Sequence, residues 1–221
     1  MTLLEAMKQR HSVRQYKVEP IEGETLQALE QVIAQCNQTS GLHIQLVKNE
    51  PKAFDSRMAH YGKFSGVTSY IAMIGKKGPK LDELCGYYGE KIVLTAQTLG
   101  LNTCWVAMTY KKIPSAFTVA EGEKLAIVIA IGYGATQGVA HKSKEVSAVS
   151  NADSQAPEWF RKGVEAALLA PTAINQQKFR FEYQGNKVFA KAGVAFNSRV
   201  DLGIAKYHFE IGAGKDNFEW A

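Results

Sequence analysis

The sequence of 221 residues predicts an α+β fold. Five segments place apolar residues at helical spacing, and five others alternate or form the short apolar runs typical of strands. In chain order these elements are α-α-β-β-α-β followed by α-β-β-α. A chain of this length forms one domain or two small intertwined halves, and it can bury a substantial core.

The first two helices are predicted from a cap and an apolar stripe. Thr2 and Glu5 have the spacing of a capping box, in which each side chain binds the backbone N–H of the other residue, so a helix is expected over about residues 3–10. A second helix is expected within residues 22–36, where apolar residues form one stripe. The stripe consists of Leu26, Leu29, Ile33 and Cys36.

The middle of the chain predicts a long buried helix between strands. Residues 82–100 are apolar on most helical faces, with Asp82 as the expected N-terminal cap and Gly100 at the C-terminal end. Strands are expected over residues 43–49, 66–75 and 125–134. The last of these is a nearly continuous apolar run, which is typical of a strand covered on both faces.

The second part of the chain predicts a linker, two helices and a hairpin. Residues 135–156 are small and polar, which indicates a linker or a surface excursion. A helix follows with Pro157 in its first turn. The alternating segments 178–183 and 187–192 flank a Gln-Gly-Asn turn and predict a hairpin. The last helix is expected over residues 198–214. Its expected buried face consists of Leu202, Ala205, Phe209 and Gly212.

Composition narrows the class of protein. Hydrophobic residues make up 46% and charged residues 21% of the chain, as in soluble globular proteins, and neither a membrane span nor a secretion signal is expected. Three cysteines, an odd number, indicate buried thiols in a reducing cytoplasm rather than a disulfide framework. The net charge of +5 and the pI of about 9.0 favour an anionic partner, either a phosphate ligand or nucleic acid.

Metal and nucleotide motifs are absent from the sequence. The histidines 43, 60 and 208 lie far apart without a paired ligand pattern, so no metal site is expected. Neither a Gly-x-Gly-x-x-Gly nor a Gly-Lys-Ser/Thr loop occurs, which leaves dinucleotide-fold and nucleoside-triphosphatase functions unsupported. A basic nucleic-acid binder lacks the aromatic and basic strand motif that it would need.

Two polar motifs are the candidate functional segments. In RHSVRQY, Arg10 and Arg14 flank Ser12, and forked guanidinium donors with a hydroxyl suit a phosphate. The alternative is that these basic residues only complement the dipole at the end of the first helix. In LLAPTAINQQKF, from Leu168 to Phe179, three amides follow a helix end. Such amides either cap backbone groups or bind a ligand that has both donors and acceptors.

Together these segments resemble the nitroreductase family of flavin mononucleotide (FMN) oxidoreductases. The opening signature of that family is matched by Arg10, His11, Ser12, Arg14 and Tyr16. Its Ala-Pro-Ser-x-x-Asn-x-Gln signature is similar to Ala170, Pro171, Thr172, Asn175 and Gln177. The segments LGLNTCW, over residues 99–105, and IGYG, over residues 131–134, resemble the end of the family's long helix and the end of its last core strand.

The resemblance implies a fold and an activity. The expected fold is a central, mostly antiparallel sheet flanked by helices. The expected activity is reduction of bound FMN by NADH or NADPH, followed by transfer to an electron-poor small molecule such as a nitroaromatic or a quinone. Since FMN performs the redox step, no catalytic acid or base is named. The alternative function is a non-redox flavin-binding or flavin-modifying protein on the same fold.

The resemblance also implies residue roles, all in cofactor binding. Arg10 and Arg14, with the adjacent His11, would hold the phosphate or the flavin O2 carbonyl, and Ser12 the phosphate or the ribityl chain. Asn175 would bind the polar edge of the isoalloxazine, and Gln177 would bind there or stabilise the loop. Pro171 and Thr172 would belong to the same cofactor-binding segment. The backbone of Val106 and Ala107 would lie over N5. Lys142 and Lys144 would complete the phosphate end, or be solvated linker lysines.

One departure from the family suggests an internal pseudo-dimer. The amide motif follows the arginine motif by about 160 residues, whereas the family places it some thirty residues on. Residues 1–134 therefore form a nitroreductase-like half, 135–156 a linker, and 157–221 a shortened second half, all in one compact unit. A complete FMN site could then lie within a single chain as a monomer. The alternative is a homodimer that exchanges its C-terminal segment.

Overall fold

Seven α-helices and seven β-strands make up the computed structural model, which describes residues 1–221. The helices are α1 (Leu3–Gln9), α2 (Gly23–Ser40), α3 (Arg57–Tyr61), α4 (Leu81–Thr98), α5 (Val146–Val149), α6 (Glu158–Ala167) and α7 (Ser198–Ala213). The strands are β1 (Gln45–Val47), β2 (Ser69–Lys76), β3 (Asn102–Val106), β4 (Glu123–Gly132), β5 (Phe179–Gln184), β6 (Lys187–Ala192) and β7 (Glu219–Trp220). The predicted α+β class is confirmed.

The chain divides into two units. The C-terminal unit comprises Met1–Lys8, Asp82–Lys91 and His141–Ala221, and the N-terminal unit comprises Gln9–Leu81 and Ile92–Ala140. Helix α4 contributes residues to both. None of the seven helices combines the length and the apolar composition that a membrane span requires.

The N-terminal unit is built on a four-stranded sheet in the order β1-β2-β4-β3, and every pair in it is antiparallel. The predicted antiparallel sheet is therefore confirmed. The central strands β2 and β4 face each other with Ile71 opposite Ile129, and both of these side chains are fully buried. Continuous apolar runs thus occupy the centre of the sheet, as expected for strands covered on both faces.

Two elements of the N-terminal unit were not predicted. Strand β3 begins with Asn102 and Thr103, so its first residues lack the apolar pattern of a strand, and it forms by pairing with β4 at the edge of the sheet. Helix α3 has only five residues, too few to show helical periodicity. Its N-terminus is capped by Ser56, whose Oγ accepts a hydrogen bond from the Ala59 N–H at 3.2 Å.

Of the two residues predicted to mark the ends of α4, one is confirmed and the other is wrong. Gly100 has a φ of +80°, and its N–H donates to Gln97 O at 3.1 Å while the Leu101 N–H donates to Ala96 O at 2.9 Å. These two bonds form a Schellman motif, so the C-terminal glycine is confirmed. Asp82 as the N-terminal cap is wrong, because Lys80 holds that position and Asp82 lies inside the first turn. There its carboxylate can still complement the helix dipole.

The capping box of α1 is confirmed. The Thr2 N–H donates to Glu5 Oε2 at 2.7 Å, and the Glu5 N–H donates to Thr2 Oγ1 at 3.2 Å. Hydrogen bonds from the backbone and the side chain of Thr2 lower the pKa of Glu5. Two backbone donors that the first turn of a helix leaves without intrahelical partners are satisfied in this way.

The C-terminal unit contains the predicted hairpin. Strands β5 and β6 pair antiparallel around a two-residue turn at Gly185 and Asn186, and Gly185 takes the positive φ of +61° that the turn requires. Strand β7, which was not predicted, adds to β6 in parallel. Helix α6 begins at Glu158, so Pro157 is the N-cap rather than a first-turn residue.

Aromatic side chains form the interior of the C-terminal unit. Phe160 from α6, Phe181 from β5 and Phe209 from α7 are fully buried, and Phe181 stacks on Phe209 with ring centroids 4.8 Å apart. Three residues of the predicted buried face of α7, Leu202, Ala205 and Phe209, are buried, whereas Gly212 is partly exposed.

Helix α7 crosses the N-terminal half of α4 at two glycines. A Cβ on Gly203 would lie 2.0 Å from Glu83 O, and a Cβ on Gly86 would lie 2.0 Å from Val200 O. Because backbone rather than side-chain atoms fill these positions, the two helices approach closely. Glycine is therefore required here by packing rather than by φ.

Candidate functional site

The arginine motif lies beside β3 in the N-terminal unit. Ser12 forms a parallel bridge with Thr103, and the Val13 N–H donates to Thr103 O at 3.1 Å. Tyr16 is buried, and its hydroxyl donates to Val13 O at 2.8 Å. The segment from Ser12 to Tyr16 is therefore held by backbone bonds, which fixes the positions of the polar side chains between them.

The side chains of the motif differ in exposure. Arg10 is only 3% exposed, His11 and Ser12 are partly exposed, and Arg14 is exposed. The two guanidiniums are therefore not equivalent: one charge is held inside the protein and the other is at the surface. A buried guanidinium is a stronger electrostatic donor than an exposed one, because solvent screens it less.

Cys104 shows that these polar groups lie close together. Burial raises the pKa of the Cys104 thiol, whereas the charge of Arg14, a hydrogen bond with Ser12 and the charge of Arg10 act in the opposite direction. These three residues are thus near enough to Cys104 to influence the pKa of its thiol. The preceding residue of the strand, Thr103, is 1% exposed, and its hydroxyl has no hydrogen-bond partner.

Cys104 and Thr103 were not among the predicted site residues, because β3 itself was not predicted. The usable signal was the position of NTCWV directly after the Gly100 helix end, where a new element must begin. Val106 ends this strand and is buried, and Ala107 follows it partly exposed.

The loop after β4 joins the same region of the N-terminal unit. Asn102 Oδ1 accepts from the Gly134 N–H at 3.0 Å, and Asn102 Nδ2 donates to Gln137 Oε1 at 3.1 Å. A Cβ on Gly138 would lie 2.9 Å from the Cβ of His11, so this loop packs directly against the arginine motif. The fold therefore brings together three segments that are distant in sequence: residues 10–16, 99–105 and 131–134.

The amide motif lies in the C-terminal unit and has an unusual backbone. Pro171 is buried, Thr172 is partly exposed, and a 3₁₀ turn spans Ala173–Asn175. Ile174, Asn175 and Gln177 all have left-handed φ angles, of 46°, 56° and 45°. Such conformations cost about 1–3 kcal/mol each in non-glycine residues, and a β-branched residue such as Ile174 tolerates them least. Backbone strain of this kind clusters at functional sites.

Hydrogen bonds tie the amide motif to the segment that contains both predicted lysines. The carbonyl oxygen of Lys142 accepts from Asn175 Nδ2 and from Gln177 Nε2, both at 2.9 Å. Gln177 Oε1 accepts from the Lys144 N–H at 2.9 Å, and the Lys144 ammonium donates to the carbonyls of Gln176 and Gln177. The structure therefore brings Lys142, Lys144, Asn175 and Gln177 together.

The side-chain amides of Gln177 and Asn175 differ in exposure. Gln177 is 2% exposed, and both ends of its side-chain amide are bonded within the loop, since Nε2 also donates to Asn175 Oδ1 at 2.8 Å. Both ends of the Asn175 amide are bonded as well, but Asn175 is exposed, so its remaining N–H and oxygen lone pair can reach a ligand. The side chain of Lys142 is exposed, whereas the ammonium of Lys144 is engaged by two backbone carbonyls.

The donors of each unit suit an anionic or polar ligand better than a metal. No group of three or more His, Cys, Asp or Glu side chains is arranged to hold a metal ion. The N-terminal unit offers guanidinium and hydroxyl donors, which match phosphate oxygens. The C-terminal unit offers an amide that can both donate and accept.

Comparison with solved structures identifies the class of fold. A crystal structure of a "putative nitroreductase" from Thermotoga maritima matches with a TM-score of 0.68 and 25% identity, covering 98% of this chain and 85% of that one. A "putative nitroreductase in complex with FMN" from Desulfovibrio desulfuricans matches with a TM-score of 0.52 and 17% identity, over 67% and 95% of the two chains. The protein therefore has a nitroreductase fold.

The sequence places the chain in a particular family of that fold. The family model described as "Putative TM nitroreductase" matches residues 2–213, and the chain belongs to this family. The predicted resemblance to nitroreductases is thereby confirmed. A structure named "Putative NADH dehydrogenase/NAD(P)H nitroreductase", from Parabacteroides distasonis, has a TM-score of 0.52 and 20% identity over 66% of this chain and 95% of that one. The comparison with curated proteins found no match.

Proposed function

We propose that the protein is an FMN-dependent oxidoreductase that uses NADH or NADPH to reduce an electron-poor small molecule such as a nitroaromatic or a quinone. Membership in a nitroreductase family over residues 2–213 supports an oxidoreductase. The Desulfovibrio relative of the same fold is a complex with FMN, and the Parabacteroides relative is named for NAD(P)H. Three buried cysteines, none of which forms a disulfide, support a reducing compartment such as the cytoplasm.

The observation that supports this function most directly is the cluster around Cys104. Ser12 forms a bridge with Thr103 on β3, and Arg10 and Arg14 are near enough to influence the pKa of the neighbouring Cys104 thiol, so the three residues lie in one region beside β3. Two guanidiniums and a hydroxyl fit the oxygens of a phosphate group. We assign these three residues, with the adjacent His11, to the phosphate or the O2 carbonyl of FMN. The backbone of Val106 and Ala107 is assigned as a further flavin contact.

The amide loop is assigned to the polar edge of the flavin. The pyrimidine edge alternates donors and acceptors, which the exposed amide of Asn175 can match. Pro171 and Thr172 shape the start of the loop, and Thr172 Oγ1 accepts from the Gln177 N–H at 3.1 Å. Gln177 stabilises the loop, since both ends of its amide are already bonded.

The two lysines have different expected roles. Lys142 is exposed and can approach a phosphate, whereas Lys144 donates to two carbonyls of the amide loop. When bound, FMN supplies the redox chemistry, and the protein supplies binding, orientation and positive charge. No side chain is assigned as a catalytic acid or base.

Titration with FMN tests the phosphate assignment. Loss of a charge-assisted contact costs about 1.5–3 kcal/mol, so Arg10→Ala and Arg14→Ala should each weaken FMN binding about tenfold to a hundredfold in a fluorescence titration. Arg57→Ala removes an exposed guanidinium from α3 and is the matched control, for which no change is expected. Unchanged affinity in both motif variants would show that the assignment is wrong.

Anaerobic reduction tests the redox activity separately. Addition of NADH or NADPH to the FMN-loaded protein should bleach the flavin absorption, and a nitroaromatic or quinone should restore it. A protein that binds FMN tightly but is not reduced by either nucleotide would instead be a non-redox flavin protein.

We retain the pseudo-dimer as a proposal about assembly. Residues 1–134 and 157–221 would be two half-repeats joined by residues 135–156, with one complete FMN site in each chain. Mixing Arg10→Ala with Asn175→Ala after partial unfolding tests it. If the chain is self-sufficient, no mixture regains FMN binding, whereas a homodimer that exchanges its C-terminal segment regains one intact site.

A further inference from the structure

The strained amide loop has a supporting side chain that lies outside every motif. Asp201, in the first turn of α7, is 3% exposed. Both of its carboxylate oxygens accept from the loop: the Ala173 N–H lies 3.0 Å from Oδ1 and 3.2 Å from Oδ2, and Gln176 Nε2 lies 2.7 Å from Oδ2. One buried carboxylate thus holds the loop at two points.

These two points enclose two of the three strained residues. Ala173 directly precedes Ile174 and Asn175, and Gln176 directly follows them. Gln176 is itself anchored on its other side, because Nε2 also donates to the carbonyl oxygen of Phe196 at 2.7 Å. A left-handed isoleucine that is 93% exposed gains nothing from packing, so its conformation must be imposed by its neighbours.

The carboxylate is better explained by the loop than by the stability of the fold. Burial raises the pKa of Asp201, and the hydrogen bonds from Gln176 and Ala173 only partly offset that effect. Burying an ionisable group in this way is unfavourable unless its hydrogen bonds serve a specific arrangement. The arrangement served here is the backbone of residues 173–176.

We propose that Asp201 is a positioning residue for flavin binding, which holds residues 173–176 in the conformation that presents Asn175 to the isoalloxazine edge. The proposal rests on the proposed FMN function. Asp201 makes no contact with the flavin in this account; it acts through Ala173 and Gln176. A loop that is already ordered loses less conformational freedom when the ligand binds, and affinity rises accordingly.

The variant Asp201→Asn tests this role. It keeps the size of the side chain and one acceptor oxygen, but it places an NH₂ group against a donor of the loop. Asp216→Asn is the matched control, because Asp216 is an exposed carboxylate of the same unit and the change in net charge is identical. Four quantities are measured at pH 8: the FMN dissociation constant, the absorption band of the bound flavin, hydrogen exchange of the amides 173–177, and the melting temperature of the flavin-free protein.

The expected result for Asp201→Asn is about tenfold weaker FMN binding, a shifted absorption band of the bound flavin and faster exchange of residues 173–177, with an unchanged or higher melting temperature. Asp216→Asn should match the wild type in all four respects. A residue with only a structural role would instead lower the melting temperature and leave the flavin affinity of the folded protein unchanged, and that result would overturn the proposal.

Gln176→Ala provides a second, independent test if Asp201→Asn does not fold. It removes the other half of the contact and should weaken FMN binding similarly, and the double variant should lose little more than either single variant. Equal exchange rates and equal FMN affinity in Gln176→Ala and wild type would overturn the proposal. A wild-type protein that binds no FMN would overturn the proposed function before any variant is compared, so the two failures are distinguishable.

Discussion

The two units of the molecule have interiors of different chemistry. In the N-terminal unit the centre of the sheet is apolar, and two buried hydroxyls of its strands, those of Tyr70 on β2 and Thr103 on β3, have no hydrogen-bond partner. The interior of the C-terminal unit is aromatic, and ionisable side chains are also buried in it and bonded to one another. His208 and Glu90 are both completely buried, with Nε2 2.8 Å from Oε1.

The two units therefore differ in the interactions that specify their structures. Continuous apolar strands specify the N-terminal sheet through burial alone, because any register that exposes them is unfavourable. In the C-terminal unit α7 crosses α4 at glycines, and small surfaces of this kind bury little apolar area. Bonds between ionisable side chains of the two helices, such as Lys206 to Glu83 at 2.8 Å, then specify which residues meet.

The largest expected effect comes from breaking the buried pair. His208 Nδ1 donates to the carbonyl of Ala166 at 3.1 Å, and its other ring nitrogen, Nε2, is bonded to Glu90. His208→Ala leaves the Glu90 carboxyl buried without this partner and should lower the free energy of unfolding by about 3–5 kcal/mol in a urea titration. The exposed pair of Glu158 and Lys162 is the control, and Glu158→Ala should have no measurable effect. Similar losses in both variants would contradict the comparison.

Overpacking the helix crossing should have the next largest effect. An added methyl at Gly203 would meet the carbonyl oxygen of Glu83 at 2.0 Å, which neither helix can avoid without moving. Gly203→Ala should therefore destabilise the protein by about 2–4 kcal/mol despite the better helix propensity of alanine, as measured by chemical denaturation. Gly78→Ala is the control, because open space surrounds its Cβ position. A neutral or stabilising Gly203→Ala would show that the crossing is not tightly packed.

The pH dependence of stability should report the buried Asp201. Burial raises the pKa of this carboxyl from 3.8 to about 6 in the folded protein. A raised carboxyl pKa means that the folded state binds the proton more tightly than the unfolded state between these two values. The stabilisation from Asp201 is therefore present below about pH 4 and lost as pH rises through about 6.

Asp201→Asn removes this pH-dependent contribution to the free energy of unfolding, which amounts to about 1–3 kcal/mol. Measured against the variant, wild-type stability should improve as pH falls from 7 to 4.5, as melting temperatures of the flavin-free proteins can show. A difference between wild type and variant that stays constant over this range would contradict the raised pKa.

The smallest expected effects come from removing two tyrosine hydroxyls, one with a hydrogen-bond partner and one without. The hydroxyl of Tyr87 donates to Glu210 in the C-terminal unit, so Tyr87→Phe should cost about 1–2 kcal/mol. The buried hydroxyl of Tyr70 has no partner, and burial raises its pKa to about 12. Tyr70→Phe should be neutral or stabilise the protein by up to about 1 kcal/mol. Equal destabilisation by the two changes would show that the hydroxyls are in similar environments.

Much of the secondary structure was predictable, because its signals are local. The capping box at Thr2 and Glu5, the glycine end of α4 at Gly100 and the two-residue turn at Gly185 each involve residues close in sequence. The elements that were missed depend on distant partners. Strand β3 forms because β4 pairs with it, and β7 forms because β6 does.

The candidate site was predictable in its residue types but not in their arrangement. The sequence indicated that Asn175 and Gln177 belong to a polar loop, and the structure shows that both amides are bonded at both ends, whereas only Asn175 of the two is exposed. Asp201 could not be assigned, because a single acidic residue in an amphipathic helix has no distinguishing pattern. Its importance follows from contact with residues about 25 positions earlier in the chain.

The sequence by itself determined the α+β class, the family resemblance, most helix and strand positions and the two polar motifs, since periodicity, capping and turn formation act over a few residues. The tertiary structure alone decided which buried polar groups are bonded, which glycines allow helices to approach, and which carboxylate holds the amide loop. Burial and hydrogen-bond geometry depend on residues brought together from distant parts of the chain. A one-dimensional pattern contains no distances between them.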